Sequence, residues 1–220
     1  RARLPDQLPD APEGGLMRSA GDRIYARLTG HGTAHGADLF DLHVTACMIA
    51  IAAQDARAGI ASLAGGLGLE GWEVRALFQL MFPGAIGELE GLDMTPAAPR
   101  PDECALRDML WYNCTDSGTF GRLLVRIVAR RCQRPNHLWQ DLGFGSRREL
   151  SGLMQRHFPN LAARNSRDMK WKKFFYRTIC SSTGFSLCTA PVCSECDDFD
   201  ACFGEEDGES ILARIRNDRT

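Results

Sequence analysis

The chain is predicted to be all-α, a helical bundle-like domain that carries an irregular, cysteine-rich loop near its C-terminus. Three observations predict this. Apolar and polar residues never alternate over more than about four positions, so no half-buried strand is expected. Apolar residues instead recur at helical spacing, most clearly at Phe120, Leu123, Leu124, Ile127 and Val128, an i, i+3, i+4, i+7, i+8 stripe. The stretch from Cys188 to Cys202 follows neither period and holds four thiols in fifteen residues.

Residues 1–15, with three prolines and two glycines, read as a flexible lead-in, and 16–220 as one helical domain that includes the metal-cluster loop 188–202. A helix is expected from Leu16 to Leu28. His31 and His35 stand four apart, a helical ligand spacing, but the glycines around them place them on a loop as surface histidines. Asp38 to Ala56 reads as a helix, apolar nearly all round through Val44–Ala53. That ten-residue run is half of the roughly 20 a bilayer requires, so a buried core helix is expected rather than an anchor. Within it His43 is a core or boundary residue and Cys47 a small hydrophobe. Ile60 to Leu63, the glycines 65, 66 and 68, and a helix from Glu70 to Phe82 outline a helix-turn-helix. Its second helix sets Glu70 and Glu73 against only Arg75, so it lacks the basic face DNA demands and reads as a packing hairpin.

Pro83, Gly84, Pro96, Pro99 and Pro101 mark residues 83–101 as a loop. Helices resume from Asp102 to Tyr112 and along the Phe120 stripe, where Arg122, Arg126 and Arg130 lie off the apolar face and read as solvated. Cys104, Cys114 and Cys132 show no ligand spacing. His137 to Leu142 is a helical turn. Ser146-Arg-Arg-Glu149 reads as a capping box opening a helix to His157, which Pro159 stops. Asp168 to Cys180 is the helix that delivers the chain to the cysteine loop. It has an aromatic stripe of Trp171, Phe174 and Phe175 with Thr178, beside a basic row of Lys170, Lys173 and Arg177. A last helix is expected over Glu209 to Arg216.

At 220 residues and 44% hydrophobic, the chain is long enough for one substantial core without disulfide staples. Its opening, Arg1-Ala-Arg-Leu-Pro-Asp, has no apolar signal region, which favours a cytoplasmic location for its nine cysteines. A formal charge of −2 excludes a global attraction to nucleic acid or to an anionic membrane. No general base, nucleophile and orienting group can be assembled, so the chain is not expected to be an enzyme.

The cysteine loop reads Cys188-Thr-Ala-Pro-Val-Cys193-Ser-Glu-Cys196-Asp-Asp-Phe-Asp-Ala-Cys202, that is CxxxxCxxCxxxxxC. At roughly 3.3–3.6 Å per extended residue, these gaps let all four sulfurs close on one inorganic core. Thiolates are soft ligands, which removes magnesium and calcium and leaves zinc, copper(I) or an iron-sulfur cluster. The opening CxxxxCxxC is a plant-ferredoxin cluster spacing, whereas structural zinc favours two separated pairs. Iron-sulfur is therefore preferred over zinc and over a disulfide loop. From Cys188 to Glu209 there are eight acids (Glu195, Asp197, Asp198, Asp200, Glu205, Glu206, Asp207, Glu209) and no Lys or Arg, a negative patch suited to a basic partner. Cys180, eight residues upstream, is a reserve thiol.

The run Lys170-Trp-Lys-Lys-Phe-Phe-Tyr-Arg177, followed by Cys180, Gly184, the cysteine loop and Cys202-Phe-Gly-Glu-Glu206, resembles the NifQ family of nitrogen fixation. The likeness extends upstream to His137-Leu-Trp-Gln-Asp-Leu-Gly and Phe158-Pro-Asn-Leu-Ala. What the resemblance implies is a cytoplasmic iron-sulfur metallochaperone that binds molybdenum as a Mo-Fe-S precursor. It would donate the metal for the nitrogenase iron-molybdenum cofactor. The family's cluster cysteines fall on Cys188, Cys193, Cys196 and Cys202, and its cluster would be of 3Fe-4S or 4Fe-4S type, with molybdenum and molybdate as cargo. The nitrogenase reductase and the cofactor assembly scaffold are the partners the resemblance implies. The residues alone leave open an electron carrier without molybdenum and a zinc-stabilised interaction module.

Overall fold

The computed structural model describes residues 20–30, 34, 36–183 and 211. Among them every regular element is helical and no strand occurs, so the all-α class holds. The lead-in 1–15, His31, His35, Cys188, Cys193, Cys196, Cys202 and, apart from Ile211, the expected C-terminal helix lie outside the described residues.

The centre of the fold is α2, Leu39–Arg57, whose twelve buried residues leave almost no solvent face. A helix this long and apolar could cross a membrane by length and composition, but here it is covered by protein, the core helix its apolar run predicts. Asp38 caps it, Oδ1 accepting from the Phe40 and Asp41 N–H groups at 2.9 and 3.2 Å. Ahead of it, α1 (Ala20–Gly30) packs along its side, and Ile211 covers Ala50 and Ile51.

The glycine-rich turn becomes α3, Leu63–Leu67, entirely buried between α2 and the later helix α6, Thr119–Arg131. Gly68 ends α3 in the left-handed conformation, with Leu69 N–H bonded to the Ala64 carbonyl at 3.0 Å and Gly68 N–H to Gly65 at 3.2 Å. A β-carbon there would sit 2.6 Å from Arg130 Cβ, so glycine is required on two counts. The helix-turn-helix outline is therefore a packing device: α4, Gly71–Met81, also lies against α6.

Two expectations are corrected here. Pro83–Leu89, expected as loop, forms a 3-10 helix with Pro83 in its first turn, because Ala85 and Leu89 can be buried against α4 and the core. Of Arg122, Arg126 and Arg130 only Arg122 is exposed, stacked 5.5 Å from the Trp111 ring of α5, Pro101–Tyr112. Arg126 pairs with Glu73, and Arg130 with the fully buried Glu103, which Arg107 also holds. Periodicity places these arginines off the apolar face but cannot see the acids of α4 and α5 that packing brings to them.

Below this lie α7 (Leu138–Asp141), α8 (Arg147–His157), α9 (Pro159–Arg164) and α10 (Trp171–Thr183). Pro159 does stop α8, and it also opens α9 at the first helical position. Helix α10 starts at Trp171 rather than Asp168. The Asn165 side chain takes the Met169 N–H and donates to its carbonyl, both at 2.9 Å, and Asp168 turns to φ 53°. Arg147 Nη2 holds the Asp168 carboxylate at 2.8 Å across that turn.

One ion-pair chain crosses the core. Arg131, 1% exposed, donates to Asp55 Oδ2 at 2.7 Å and to the Asp141 carbonyl, and the Asp141 carboxylate in turn receives Lys172 of α10. Burial pulls the Arg131 pKa below its usual value, opposed by the neighbouring Asp55 charge. Replacing Asp55 by Ala leaves a buried cation without its counter-ion and should cost about 3–5 kcal/mol, seen as a lower urea midpoint at unchanged slope.

A weaker, pH-dependent contribution sits at the α2 cap. Arg156, by hydrogen bond, lowers the Asp38 pKa, helped by the backbone donors and opposed by slight burial. Its folded pKa is below the unfolded one, so the stabilisation is complete above about pH 4 and fades as pH falls through the folded value. The side chain is about half exposed, at 47%, so the wild-type advantage over Asp38→Asn should stay under ~1 kcal/mol and vanish in acid, as paired melts across pH would show.

Candidate metal centre

The continuous described stretch ends at Thr183, five residues before the first loop cysteine, and what α10 supplies is a packed approach. Trp171, Phe174 and Phe175 are buried, their rings 5.7, 5.7 and 6.1 Å apart in tilted and edge-on pairs. Each such side chain contributes about 1.5–3 kcal/mol by burial alone, so the aromatic stripe is part of the core. Thr178 is only half-buried.

Lys172, which the sequence pattern did not single out, fixes the helix axially. Its ammonium donates to the Arg134 and Asn136 carbonyls and to Asp141 Oδ2, satisfying all three N–H bonds. Of the predicted basic row, Lys173 is exposed, whereas Lys170 and Arg177 are partly buried. Cys180, also partly buried, lies one turn before the end of α10 at Thr183. Cys104 is exposed on α5; Cys132 is buried, and burial pushes its thiol up to about 12. Substituting Lys172 by Met would leave the Asp141 carboxylate, itself 1% exposed, without its cation and with only Asn136 Nδ2 donating to Oδ1 at 3.0 Å. The expected loss is about 3 kcal/mol or more of stability, with hydrogen exchange faster in α10 than in α2.

A second cluster, on the helical body, joins residues the sequence kept apart. His43 and Cys47 lie one turn apart on α2, Glu149 enters from α8 and Tyr25 from α1. Glu149 Oε2 is 3.2 Å from His43 Nε2, and Tyr25 Oη is 2.8 Å from Nδ1. Cys47 Sγ is 3.9 Å from both ring nitrogens. A carboxylate only accepts, so in the neutral imidazole Nε2–H donates to Glu149 and Nδ1 accepts from the Tyr25 hydroxyl. Burial raises the Cys47 and Tyr25 pKa values far above normal, and the Glu149 charge adds to both.

The turn before α8 explains the meeting. Gly143 adopts φ 77°, and the Phe144 and Gly143 N–H groups bond the Trp139 and Gln140 carbonyls, both at 2.9 Å, closing α7. A β-carbon on Gly143 would stand 2.7 Å from the Cys47 carbonyl oxygen, so only glycine lets the turn press against α2 here. The predicted capping box is corrected at the same point. Ser146 is the N-cap but makes no side-chain capping bond, because Glu149 Oε2 takes the Gly145 N–H at 3.2 Å and faces His43. His43 is the boundary residue expected, yet its partners come from two other helices. The four-residue spacing of His43 and Cys47 was the signal in the sequence; nothing there pointed to Glu149 as the third member.

A sequence model of the family described as NifQ matches residues 44–204, which include Cys47, Glu149, α10 and the whole cysteine loop. The Protein NifQ homolog of Sinorhizobium fredii is 40% identical over 172 residues, 78% of this chain and 75% of its own. Protein NifQ of Rhodobacter capsulatus is 41% identical over 153 residues, 70% of this chain and 84% of its own. Protein NifQ of Azotobacter vinelandii is 45% identical over a shorter stretch of 83 residues, 38% of this chain and 43% of its own. No solved structure matches the chain. With the family model spanning well over half of its length, and two relatives aligned over most of theirs, the chain belongs to the NifQ family of nitrogen-fixation proteins linked to molybdenum processing.

Proposed function

We propose that the chain is an iron-sulfur metallochaperone that holds molybdenum as a Mo-Fe-S precursor and donates it for the nitrogenase iron-molybdenum cofactor. The observation that carries this reading is CxxxxCxxCxxxxxC inside the family match, five residues beyond a helix pinned to the core by three aromatic rings and Lys172. Cys188, Cys193, Cys196 and Cys202 would hold the cluster; four soft donors in one short segment suit iron and sulfide and are a poor match for a hard cation. A cuboidal cluster with three irons and one vacant corner supplies a place for molybdenum once it has left its oxyanion.

In this reading residues 16–220 act as one helical unit and the loop 188–202 as its working end. Anchoring of α10 gives the loop a fixed origin, and the eight acids between Cys188 and Glu209 present a negative surface to a basic partner. The nitrogenase reductase and the cofactor assembly scaffold are the proposed partners, in the cytoplasm. The role is that of a carrier, not an enzyme.

The test is iron, acid-labile sulfide and molybdenum analysis with EPR, on protein purified without oxygen from cells given molybdate. Iron and sulfide with molybdenum are expected. Iron and sulfide alone would make the chain an electron carrier, and zinc alone would make the loop a structural knot. Cys196→Ala is expected to lose most of its iron and sulfide while keeping its helix content; full retention of both would sink the four-cysteine assignment.

A further inference from the structure

We propose that His43, Cys47 and Glu149 bind one divalent first-row transition-metal ion, in a site made entirely of residues outside the cysteine loop. The assignment uses no loop thiol and stands whether or not that loop carries a cluster.

The geometry is close to a ligand set. One atom from each of the three side chains lies within 4.8 Å of the others. Bonds of roughly 2.0–2.3 Å put tetrahedral ligand atoms about 3.3–3.7 Å apart. The Nε2 to Oε2 separation of 3.2 Å is within about 0.1 Å of such an edge. The sulfur, 3.9 Å from Nε2, must turn toward the ion through a side-chain torsion of Cys47 or His43. Residues one helical turn apart can make that adjustment without moving the backbone.

The surroundings fit as well. When an ion takes Nε2, the imidazole proton moves to Nδ1, which can then donate a hydrogen bond to Tyr25 Oη at 2.8 Å. Such an outer hydrogen bond fixes the tautomer and ring plane of a ligating histidine. Gly145 N–H orients the carboxylate in the same way. Cys47 releases its proton on binding, so a divalent ion with one thiolate and one carboxylate forms a neutral unit, which a largely buried position tolerates. The side chains of His43 and Glu149 remain 16% and 27% exposed, which leaves a way in and room for water as a fourth ligand.

Nitrogen, sulfur and oxygen donors together select zinc or iron(II) over calcium and magnesium. Molybdate is excluded: the trio offers it no cation, and Glu149 repels an oxyanion. The ion would join α2 to α8, with α1 behind it.

Cobalt(II) is the probe, because a cobalt-thiolate bond gives a charge-transfer band that simple carboxylate or histidine binding lacks. The full chain with all four loop cysteines changed to serine would be titrated anaerobically. Binding of one ion with that band is expected. The band should disappear in a background also carrying Cys47→Ser, and affinity should fall roughly tenfold or more with His43→Gln or Glu149→Gln. Circular dichroism and melting temperature check each fold, and cobalt should raise the melting temperature of the parent but not of Glu149→Gln. Absence of the thiolate band, or its survival in Cys47→Ser, would overturn the site. Should Cys47→Ser not fold, unchanged cobalt affinity in the partly exposed Glu149→Gln would overturn it instead.

Discussion

The guanidinium of Arg131 sits where α2, α6 and α7 meet, and the placement of α10 depends on what it holds. It binds Asp55 of α2 and the backbone carbonyl of Asp141, whose carboxylate then captures Lys172. Burying such charges is expensive, and hydrophobic replacements are often as stable. What charges add is direction. An aromatic stripe can slide along an apolar groove, whereas an ammonium bonded to two carbonyls and one carboxylate allows α10 a single axial position.

Glycine performs a comparable function at two turns. Gly68 lets α3 end against Arg130, and Gly143 lets the α7–α8 turn lie against the Cys47 carbonyl. The second contact sets where α8 begins, and so where Glu149 stands relative to His43. Two regions of the fold thus differ in character. One is a tight polar cluster among α1, α2 and α8. The other is a helix secured in the core, after which the sequence runs on to the cysteine-rich segment.

Much of this was readable one residue at a time. The apolar run of α2, the stripe of α6, the Asp38 start and the Pro159 stop are local signals, since helix periodicity and capping depend on neighbours within a turn or two. The errors share a cause. Arg126 and Arg130 read as solvated because Glu73 and Glu103 are 53 and 27 residues away in sequence. Glu149 read as a local cap because its spacing from Ser146 is right, while its partner His43 lies 106 residues earlier. Residues 83–89 read as loop because proline and glycine outweighed the short-range value of burying Ala85 and Leu89.

By itself, then, the sequence determined the all-α class, the core helix, the aromatic approach helix and the four-thiol spacing of the loop. All of these are written in spacings shorter than about fifteen residues. Only the tertiary structure decided which charges are buried, that Lys172 rather than its basic neighbours secures α10, and that His43, Cys47, Glu149 and Tyr25 come together. Those pairings are set by how helices stack, and stacking depends on side-chain volumes and turn geometry summed over the whole chain rather than on any local pattern.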